Sequence, residues 1–389
     1  MATGSSSTYP EPIKTNQTPR KPIPGPAEVS APLIENLLPE IIFEILSRLP
    51  VKSLLRFRCV SKSWRSMISD PKFAKAHLSL ASTNPDYAHH RLLLLSLLSH
   101  EFAVKSCSLH AVLQEHSDTA VDLDYPLEAP HCKVRIYGFC NGLACIGTER
   151  IVFLWNPCTR KSKRLPAVER GARFIMYAFG YVESIDDYKV VGFFCNVGTC
   201  GFNVEVMMYT LKTDSWRSIV EFSNCLPLFG SGICVNGVLH WTASGESHKV
   251  IVSLDLLKET FGEVLLPDYR DGHSQLMLHF VSGCLCLVCD YDGICAEVWV
   301  MKEYGIRESW TKLVVVPYVA HPSNCPYSEP LCILKNGDVL LDILTHLVRF
   351  HPRDGTFAYP TIHNCFPRFS VYPYIESLVS FDTDANNGV

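Results

Sequence analysis

Five residues in the second half of the chain are of the types that bind zinc. His279 precedes Cys284, Cys286 and Cys289, and Cys295 follows shortly after. Because side chains alternate along a β-strand, Cys284 and Cys286 would point to one face and Cys289 to the other. No second Cys-x-x-Cys pair is present to complete a tetrahedral set of ligands. These cysteines are therefore predicted to be small buried strand residues, and no metal or other cofactor is predicted.

The segment 290–293, with the sequence DYDG, begins like a calcium-binding loop. The twelfth position of such a loop carries a bidentate carboxylate. In this chain that position is Met301. The segment is therefore predicted to be a hairpin turn.

Local motifs of enzymatic chemistry are absent from the sequence. It contains no G-x-S-x-G, H-E-x-x-H, P-loop or G-x-G-x-x-G element, so the corresponding nucleophilic, metallopeptidase and phosphate-binding sites lack their residues. Carboxylates such as Glu183, Asp186 and Asp187 could still contribute to a site assembled from separate segments. At loop tips, such residues more often serve solvation and turn formation.

Composition and charge limit the classes of partner. The chain has 389 residues and a net charge of -4, so no overall positive field attracts nucleic acid. Its one basic cluster, Arg160, Lys161, Lys163 and Arg164, is predicted to be a solvated hairpin.

Membrane insertion and secretion are not predicted. The most apolar run, residues 92–99, is less than half of the ~20 residues that a spanning helix needs, and it reads as a buried strand. The N-terminus lacks a secretory signal pattern. The 17 cysteines, an odd number, then indicate reduced thiols in the cytoplasm and/or nucleus.

Residues 33–79 have the apolar spacing of a small helical domain. Pro39 suits the first position of a helix, and Asp70 followed by Pro71 is a cap signal for another. Four short helices of this size cannot bury all their apolar side chains. We expect a partner protein to cover the excess.

This segment resembles the F-box. The resemblance rests on Leu38-Pro39, Ile42, Leu49-Pro50, Ser53-Leu54, Arg58-Cys59-Val60-Ser61-Lys62 and Trp64. It implies docking onto the Skp-type adaptor of a cullin-RING ubiquitin ligase. The adaptor-binding residues that it implies are Leu38, Pro39, Ile42, Leu49, Pro50, Leu54, Val60 and Trp64.

Beyond residue 79 the pattern changes to short strands separated by recurring turns. Asn-Gly pairs begin at Asn141, Asn236 and Asn336, at separations of 95 (236 minus 141) and 100 (336 minus 236) residues. Asn-Gly pairs favour type I′ hairpin turns, because both central residues of such a turn need positive φ. Other turn signals lie nearly halfway between them, so the period is about 47 to 50 residues, which is typical of propeller blades. The segment 374–381 is predicted to complete a blade begun by residues 91–112, giving six blades.

This second region resembles the F-box-associated, kelch-like domain of the large plant F-box family. The matching segments are LWNPCT at 154–159, FGY at 179–181, DYKVV at 187–191 and NGVLHW at 236–241. The twin-glycine kelch signature is missing, so the word kelch describes only the expected architecture.

The predicted protein is therefore an α+β multidomain chain. Its parts are a disordered Pro/Ser-rich leader (1–32), a helical F-box (33–79), an all-β propeller of six blades (85–382) and a disordered tail (383–389). The resemblance implies a non-catalytic substrate-recognition subunit of an SCF-type ligase, whose propeller loops bind a target protein through residues that the sequence does not identify. The alternatives are a propeller enzyme or small-ligand sensor with an accessory F-box, and an F-box scaffold outside a ligase.

Overall fold

The computed structural model describes most of the chain in two compact units, 1–42 and 43–389. The described residues are 1, 38–96, 103–127, 134–168, 174–198, 201–219, 228–244, 249–270, 272–273, 275–291, 294–317, 329–343 and 346–381. The predicted leader, apart from Met1, and the predicted tail lie outside these residues, as does the Asp292-Gly293 turn.

The helices begin where the sequence places its start signals. They are α1 Pro39–Leu46, α2 Val51–Phe57, α3 Lys62–Ser69, α4 Pro71–Thr83 and α5 Leu109–Gln114. The Asp70 carboxylate accepts a hydrogen bond of 2.8 Å from the Lys72 N–H, which confirms the predicted cap of α4. Helix α1 ends at Leu46, before Pro50. A residue that precedes proline disfavours the helical conformation, and Leu49 lies in the turn between α1 and α2.

In the second unit, the helices pack around a small apolar core. The ring centres of Phe43 and Phe73 are 5.1 Å apart in an edge-to-face contact. The buried apolar residues of α1 to α4 are Leu46, Val51, Leu54, Ile68, Phe73, Ala74 and Ala81. A core this small leaves much of the apolar surface of the helices uncovered.

In the described residues after α4, the regular elements are strands, apart from α5 and the 3-10 helices Glu183–Ile185 and Arg307–Ser309. The strands are β1 His90–Ser96, β2 Val104–Ser108, β3 Ser117–Thr119, β4 Val121–Asp122, β5 Arg135–Cys140, β6 Leu143–Gly147, β7 Val152–Trp155, β8 Ser162–Arg164, β9 Phe174–Val182, β10 Asp187–Gly198, β11 Gly201–Thr210, β12 Ser215–Ser218, β13 Leu228–Val235, β14 Val238–Ser244, β15 Lys249–Asp255, β16 Thr260–Val264, β17 Gln275–Val281, β18 Cys284–Tyr291, β19 Cys295–Met301, β20 Trp310–Pro317, β21 Glu329–Ile333, β22 Val339–Ile343, β23 His346–His351, β24 Thr356–Ala358, β25 Thr361–His363 and β26 Phe369–Ile375.

These strands form a propeller-like series of antiparallel sheets. Four sheets have four strands each, in the orders β26-β1-β2-β4, β5-β6-β7-β8, β17-β18-β19-β20 and β21-β22-β23-β24. Strands β9 to β16 form one eight-stranded sheet, and β25 pairs with β3. The prediction of a helical segment followed by an all-β, propeller-like region is confirmed. The described residues contain four separate four-stranded sheets, whereas six blades were predicted.

The core of this region lies between the faces of successive sheets. In one example, Trp241 contacts Phe193 edge-to-face at 5.1 Å, between the two halves of the eight-stranded sheet. Two other tryptophans donate a hydrogen bond from the ring N–H to a backbone carbonyl. Trp216 Nε1 donates to the Pro166 carbonyl at 2.8 Å, and Trp310 Nε1 donates to the Leu265 carbonyl at 2.9 Å. Pro166 comes just after β8, and Leu265 comes just after β16. Each of these strands is the last of the four that precede the four strands of the tryptophan. The repeat seen in the sequence is therefore accompanied by a repeated hydrogen bond between neighbouring groups of four strands.

Of the three Asn-Gly pairs that mark the repeat, those at Asn141 and Asn236 form the predicted hairpin turn. Asn141 and Gly142 have φ values of 53° and 78°, and Asn236 and Gly237 have 51° and 76°. Positive φ at both central residues defines the type I′ turn. At the third pair only Gly337 has positive φ, and the turn there is longer, with the Leu334 N–H bonded to the Asp338 carbonyl at 2.9 Å.

The C-terminal strand pairs with the first strand of the region. Strand β26 runs antiparallel to β1, with Val371 opposite Leu94 and Tyr374 opposite Arg91. This pairing joins a late strand to an early one, as predicted, but the strand is 369–375, whereas 374–381 was predicted. Most of 374–381 lies beyond the strand, where Asn156 Nδ2 donates to the carbonyls of Ser377 and Val379 at 3.0 and 2.9 Å.

Candidate functional site

The residues implied as adaptor contacts differ in accessibility. Leu38, Pro39, Pro50 and Val60 are exposed, whereas Ile42, Leu49 and Trp64 are partly buried. Leu54 is 0% exposed, inside the core of the helical segment. Its side chain supports the helices and does not reach the surface.

Two further apolar residues of α1 are exposed and were not among the implied contacts. Ile41 is 44% and Ile45 51% exposed. They are four residues apart, a spacing that places two side chains on the same face of a helix. This spacing was readable in the sequence, where the number of apolar residues already exceeded what the helices could bury.

The turn between α2 and α3 holds Val60 in the solvent, where its side chain is 61% exposed. The Ser61 hydroxyl accepts a hydrogen bond of 3.1 Å from the Trp64 N–H and caps α3. The Trp64 ring meets Phe57 edge-to-face at 5.6 Å. Trp64 therefore both packs against α2 and retains an accessible surface.

Within the second unit, the helices are joined to the sheets by a buried hydrogen bond. The Val51 N–H, at the start of α2, donates to Glu376 Oε2 at 3.1 Å. The other oxygen of this carboxylate lies 3.6 Å from Arg91 Nη1 on β1. Glu376 comes directly after β26, so one carboxylate connects α2 to both strands of the pair formed by β1 and β26.

Helix α4 makes two more contacts with the sheets. Lys75 Nζ lies 2.7 Å from Asp186 Oδ2, an exposed ion pair. The buried His77 ring contacts His89 at 5.4 Å, and its Nε2 lies 2.9 Å from the Leu49 carbonyl. Burial lowers the pKa of His77. Because a carbonyl oxygen can only accept, the Nε2–H donates to Leu49.

Removing the Glu376 carboxylate should destabilise the second unit. In Glu376→Ala the buried Val51 N–H loses its acceptor, and we expect a loss of about 1–3 kcal/mol in the free energy of unfolding. Glu376→Gln keeps an acceptor and should lose less. Denaturant unfolding measures both, with the exposed Glu263→Ala as the matched control. An unfolding midpoint of Glu376→Ala equal to that of the control would contradict this role.

The loop carboxylates do not form an exposed acidic group. Asp187 is 3% exposed, and its carboxylate accepts from the Lys212 N–H at 3.2 Å, so its placement at an exposed loop tip was wrong. Asp186 bonds to Lys75 and accepts from the Tyr181 hydroxyl at 2.6 Å. Partial burial opposes its ionisation, but these two hydrogen bonds outweigh burial and lower the pKa of Asp186.

The cysteine string lies on two faces of the β17–β20 sheet, as its spacing predicted. Cys286 packs toward the β21–β24 sheet, and Cys289 and Cys295 pack on the opposite face toward β16. Burial raises the pKa of Cys289 to about 12. Within the described residues, no group of three or more His, Cys, Asp or Glu side chains is placed to hold a metal ion. The absence of zinc remains a prediction.

The basic cluster is engaged in ion pairs and a hydrogen bond. Arg160 lies 2.7 Å from Asp124, and Lys163 lies 2.9 Å from Asp214. Lys161 donates to the Ser380 hydroxyl at 3.3 Å. These contacts fit the predicted solvated hairpin.

Among the helices of the described residues, none has both the length and the apolar character needed to cross a bilayer.

Comparison with known proteins identifies both regions. The family described as F-box domain matches residues 34–75, and the family described as F-box associated beta propeller domain matches residues 95–345. An F-box/kelch-repeat protein of Arabidopsis thaliana is 31% identical over 363 residues, covering 89% of this chain and 96% of that protein. The F-box protein CPR1 of Arabidopsis thaliana is 30% identical over 379 residues, covering 87% and 88%.

Solved structures are more distant. A chain of a nidogen/laminin complex matches with a TM-score of 0.44 and 9% identity, covering 74% of this chain and 99% of that one. This similarity is too low to bear on fold or function.

Proposed function

Because the chain belongs to the F-box proteins that carry an F-box associated beta propeller domain, we propose that it is the substrate-recognition subunit of an SCF-type ubiquitin ligase. Its helical segment binds a Skp-type adaptor, and its propeller binds the protein to be ubiquitinated. The chain catalyses no step itself. It raises the rate of ubiquitin transfer by holding a target lysine close to the charged conjugating enzyme.

The observation that carries this proposal is the exposure of large apolar side chains on the helical segment. Leu38, Ile41, Ile45 and Val60 are between 44% and 62% exposed. Exposed apolar side chains concentrated on one short segment are typical of protein-binding surfaces. We assign adaptor contact to these four and to Pro39, Ile42, Leu49, Pro50 and Trp64, and we assign support of the helices to the buried Leu54.

We also propose that the sheets form six blades. The eight-stranded sheet counts as two, because the one backbone pairing between its halves, within the described residues, is the parallel pair of Gly232 and Ala178. The buried apolar clusters support this division. Six clusters lie between pairs of four-stranded units, one of them between the two halves, and together they connect all six units in a cycle.

The bonds from Val51 and Lys75 to the sheets give the proposed receptor a fixed geometry. An adaptor bound to Ile45, Val60 and Trp64 and a target bound to the sheets would be held at a constant separation. A fragment that lacks α1 to α4 would lose the partner of Glu376. Tests of this function should therefore use the full chain with substitutions and not isolated halves.

Binding of the full chain to a recombinant Skp-type adaptor tests the proposal. We expect a stable 1:1 complex on size-exclusion chromatography with light scattering. We also expect ubiquitin transfer to proteins captured by the chain once cullin, RING subunit and conjugating enzyme are added. Failure to form the adaptor complex with a folded, monodisperse chain would contradict the proposal.

A further inference from the structure

The outer strand β20 is the longest of the strands that end the four-stranded units. It has eight residues, whereas β4, β8, β12, β16 and β24 have 2, 3, 4, 5 and 3. In the part of the chain that the structure describes, no strand pairs with its outer edge. A long free edge offers a row of backbone donors and acceptors to which an extended segment can add as a further strand.

Strand β20 exposes two large apolar side chains to the solvent. Leu313 is 40% and Val315 43% exposed. A bulge in the pairing with β19 leaves Leu313 without a direct partner, since Val314 lies opposite Val298 and Lys312 opposite Trp299. Among the other outer strands, within the described residues, only β4 exposes a large apolar side chain, Val121.

Two cations lie on one face of this sheet around a single carboxylate: Lys312 is on β20 itself, and Arg270 contacts residues of β18 and β19. Lys312 Nζ is 3.0 Å from Glu297 Oε1 and 4.9 Å from the centre of the Trp299 ring. The Arg270 guanidinium lies 4.0 Å from the centre of the Tyr291 ring, with its Nε 3.6 Å from Glu297. The cationic side chains are 40% and 52% exposed, whereas that of Glu297 is 5% exposed. The accessible charge is therefore positive.

We propose that the outer edge of β20 binds an extended segment of a partner protein that carries apolar and acidic residues two positions apart. Such residues share one face of a strand, as Val315 and Lys312 do opposite Glu297 and Trp299. The backbone of the segment pairs with β20, its apolar side chains cover Leu313 and Val315, and its carboxylates meet Lys312. A second copy of the chain is disfavoured as the occupant, because it would bring the same cations to the same edge. The inference rests on the proposed function, since it names the surface on which a target docks.

The test uses the full chain without adaptor and a labelled ten-residue peptide in which valine and aspartate take turns at every second position, with threonine between them, so that both lie on one face of the strand. Val315→Glu should weaken binding at least tenfold, because it adds a like charge and removes an apolar contact. Val121→Glu, an exposed valine on another outer strand, should change binding less than twofold. Methylation of alternate backbone nitrogens in the peptide should abolish binding, and added salt should weaken it.

Hydrogen exchange of the wild-type chain provides a second readout. Peptide addition should slow amide hydrogen exchange more in β20 than in any other strand. Equal binding by the two valine variants, no binding to the wild type, protection at another strand, or a dimer that Val315→Glu dissociates would each overturn the proposal. Adaptor binding measured on Val315→Glu should be unchanged, so failure here is distinguishable from failure of the proposed function.

Discussion

Replacing Ile45 with aspartate should weaken binding of the Skp-type adaptor at least about 30-fold and leave the melting temperature of the chain unchanged. Hot-spot residues at interfaces contribute about 2 kcal/mol or more, and this energy corresponds to about 30-fold in the dissociation constant. Ile45 is 51% exposed on α1, so a charge there is solvated in the free chain and becomes costly only when an apolar partner covers it.

The matched control for this substitution is Leu80→Asp. Leu80 is 44% exposed on α4, close to the value for Ile45, and lies outside the proposed adaptor contacts. Isothermal titration calorimetry with the recombinant adaptor measures both variants, and thermal unfolding verifies that both are folded. Equal affinities for the two variants would show that the adaptor does not contact α1.

Leu54→Ala separates support of the helices from contact with the adaptor. Leu54 is fully buried, so truncation should cost about 2–5 kcal/mol in the free energy of unfolding. Adaptor affinity of the remaining folded fraction should be close to that of the wild type. Trp64 suits this test less well, because its ring also packs on Phe57 and its loss would change stability and contact together.

Local signals in the sequence predicted local features of the fold. Asp70 and Pro71 predicted the start of α4, because a capping carboxylate and a fixed φ act within one turn. Asn236 and Gly237 predicted a type I′ turn, since few residues adopt positive φ at both positions. The alternation of strand side chains placed Cys286 and Cys289 on opposite faces of one strand.

Contacts distant in sequence were not predictable in this way. Val51 and Glu376 are 325 residues apart, and no local pattern links an N–H at a helix start to that carboxylate. Helical spacing identified the apolar positions of α1 and α2 but not which of them the core would cover. As a result, Leu54 was assigned to the surface by resemblance, and Ile45 was not.

A proline explains why the closing strand was predicted too far along the chain. Pro373 stands inside β26, and a proline within a run normally argues against a strand. Strand β26 is at the edge of its sheet, so the missing N–H of Pro373 can face away from β1 without loss of a sheet hydrogen bond. The prediction began the strand at residue 374, where the run after this proline starts.

Deleting residues 369–389 should prevent the second unit from folding. The deletion removes Phe369, Val371 and Tyr374, all buried, and leaves Leu92 to Leu95 of β1 without cover. Each large apolar side chain contributes about 1.5–3 kcal/mol when buried, whereas the whole net stability of a domain is about 5–15 kcal/mol. The free energy lost with these side chains is comparable to the whole net stability of the domain. The uncovered apolar edge of β1 is also a template for aggregation.

Deletion of 382–389 is the matched control, because it leaves β26 and the buried Phe381 in place. We expect the control to be monomeric with an unchanged melting transition, and the longer deletion to aggregate during size-exclusion chromatography. Refolding the longer deletion with a synthetic peptide of residues 366–389 should recover soluble protein, because the peptide supplies β26 and Glu376. A chain ending at residue 368 that stays monomeric and melts like the control would show that β26 does not complete the sheet.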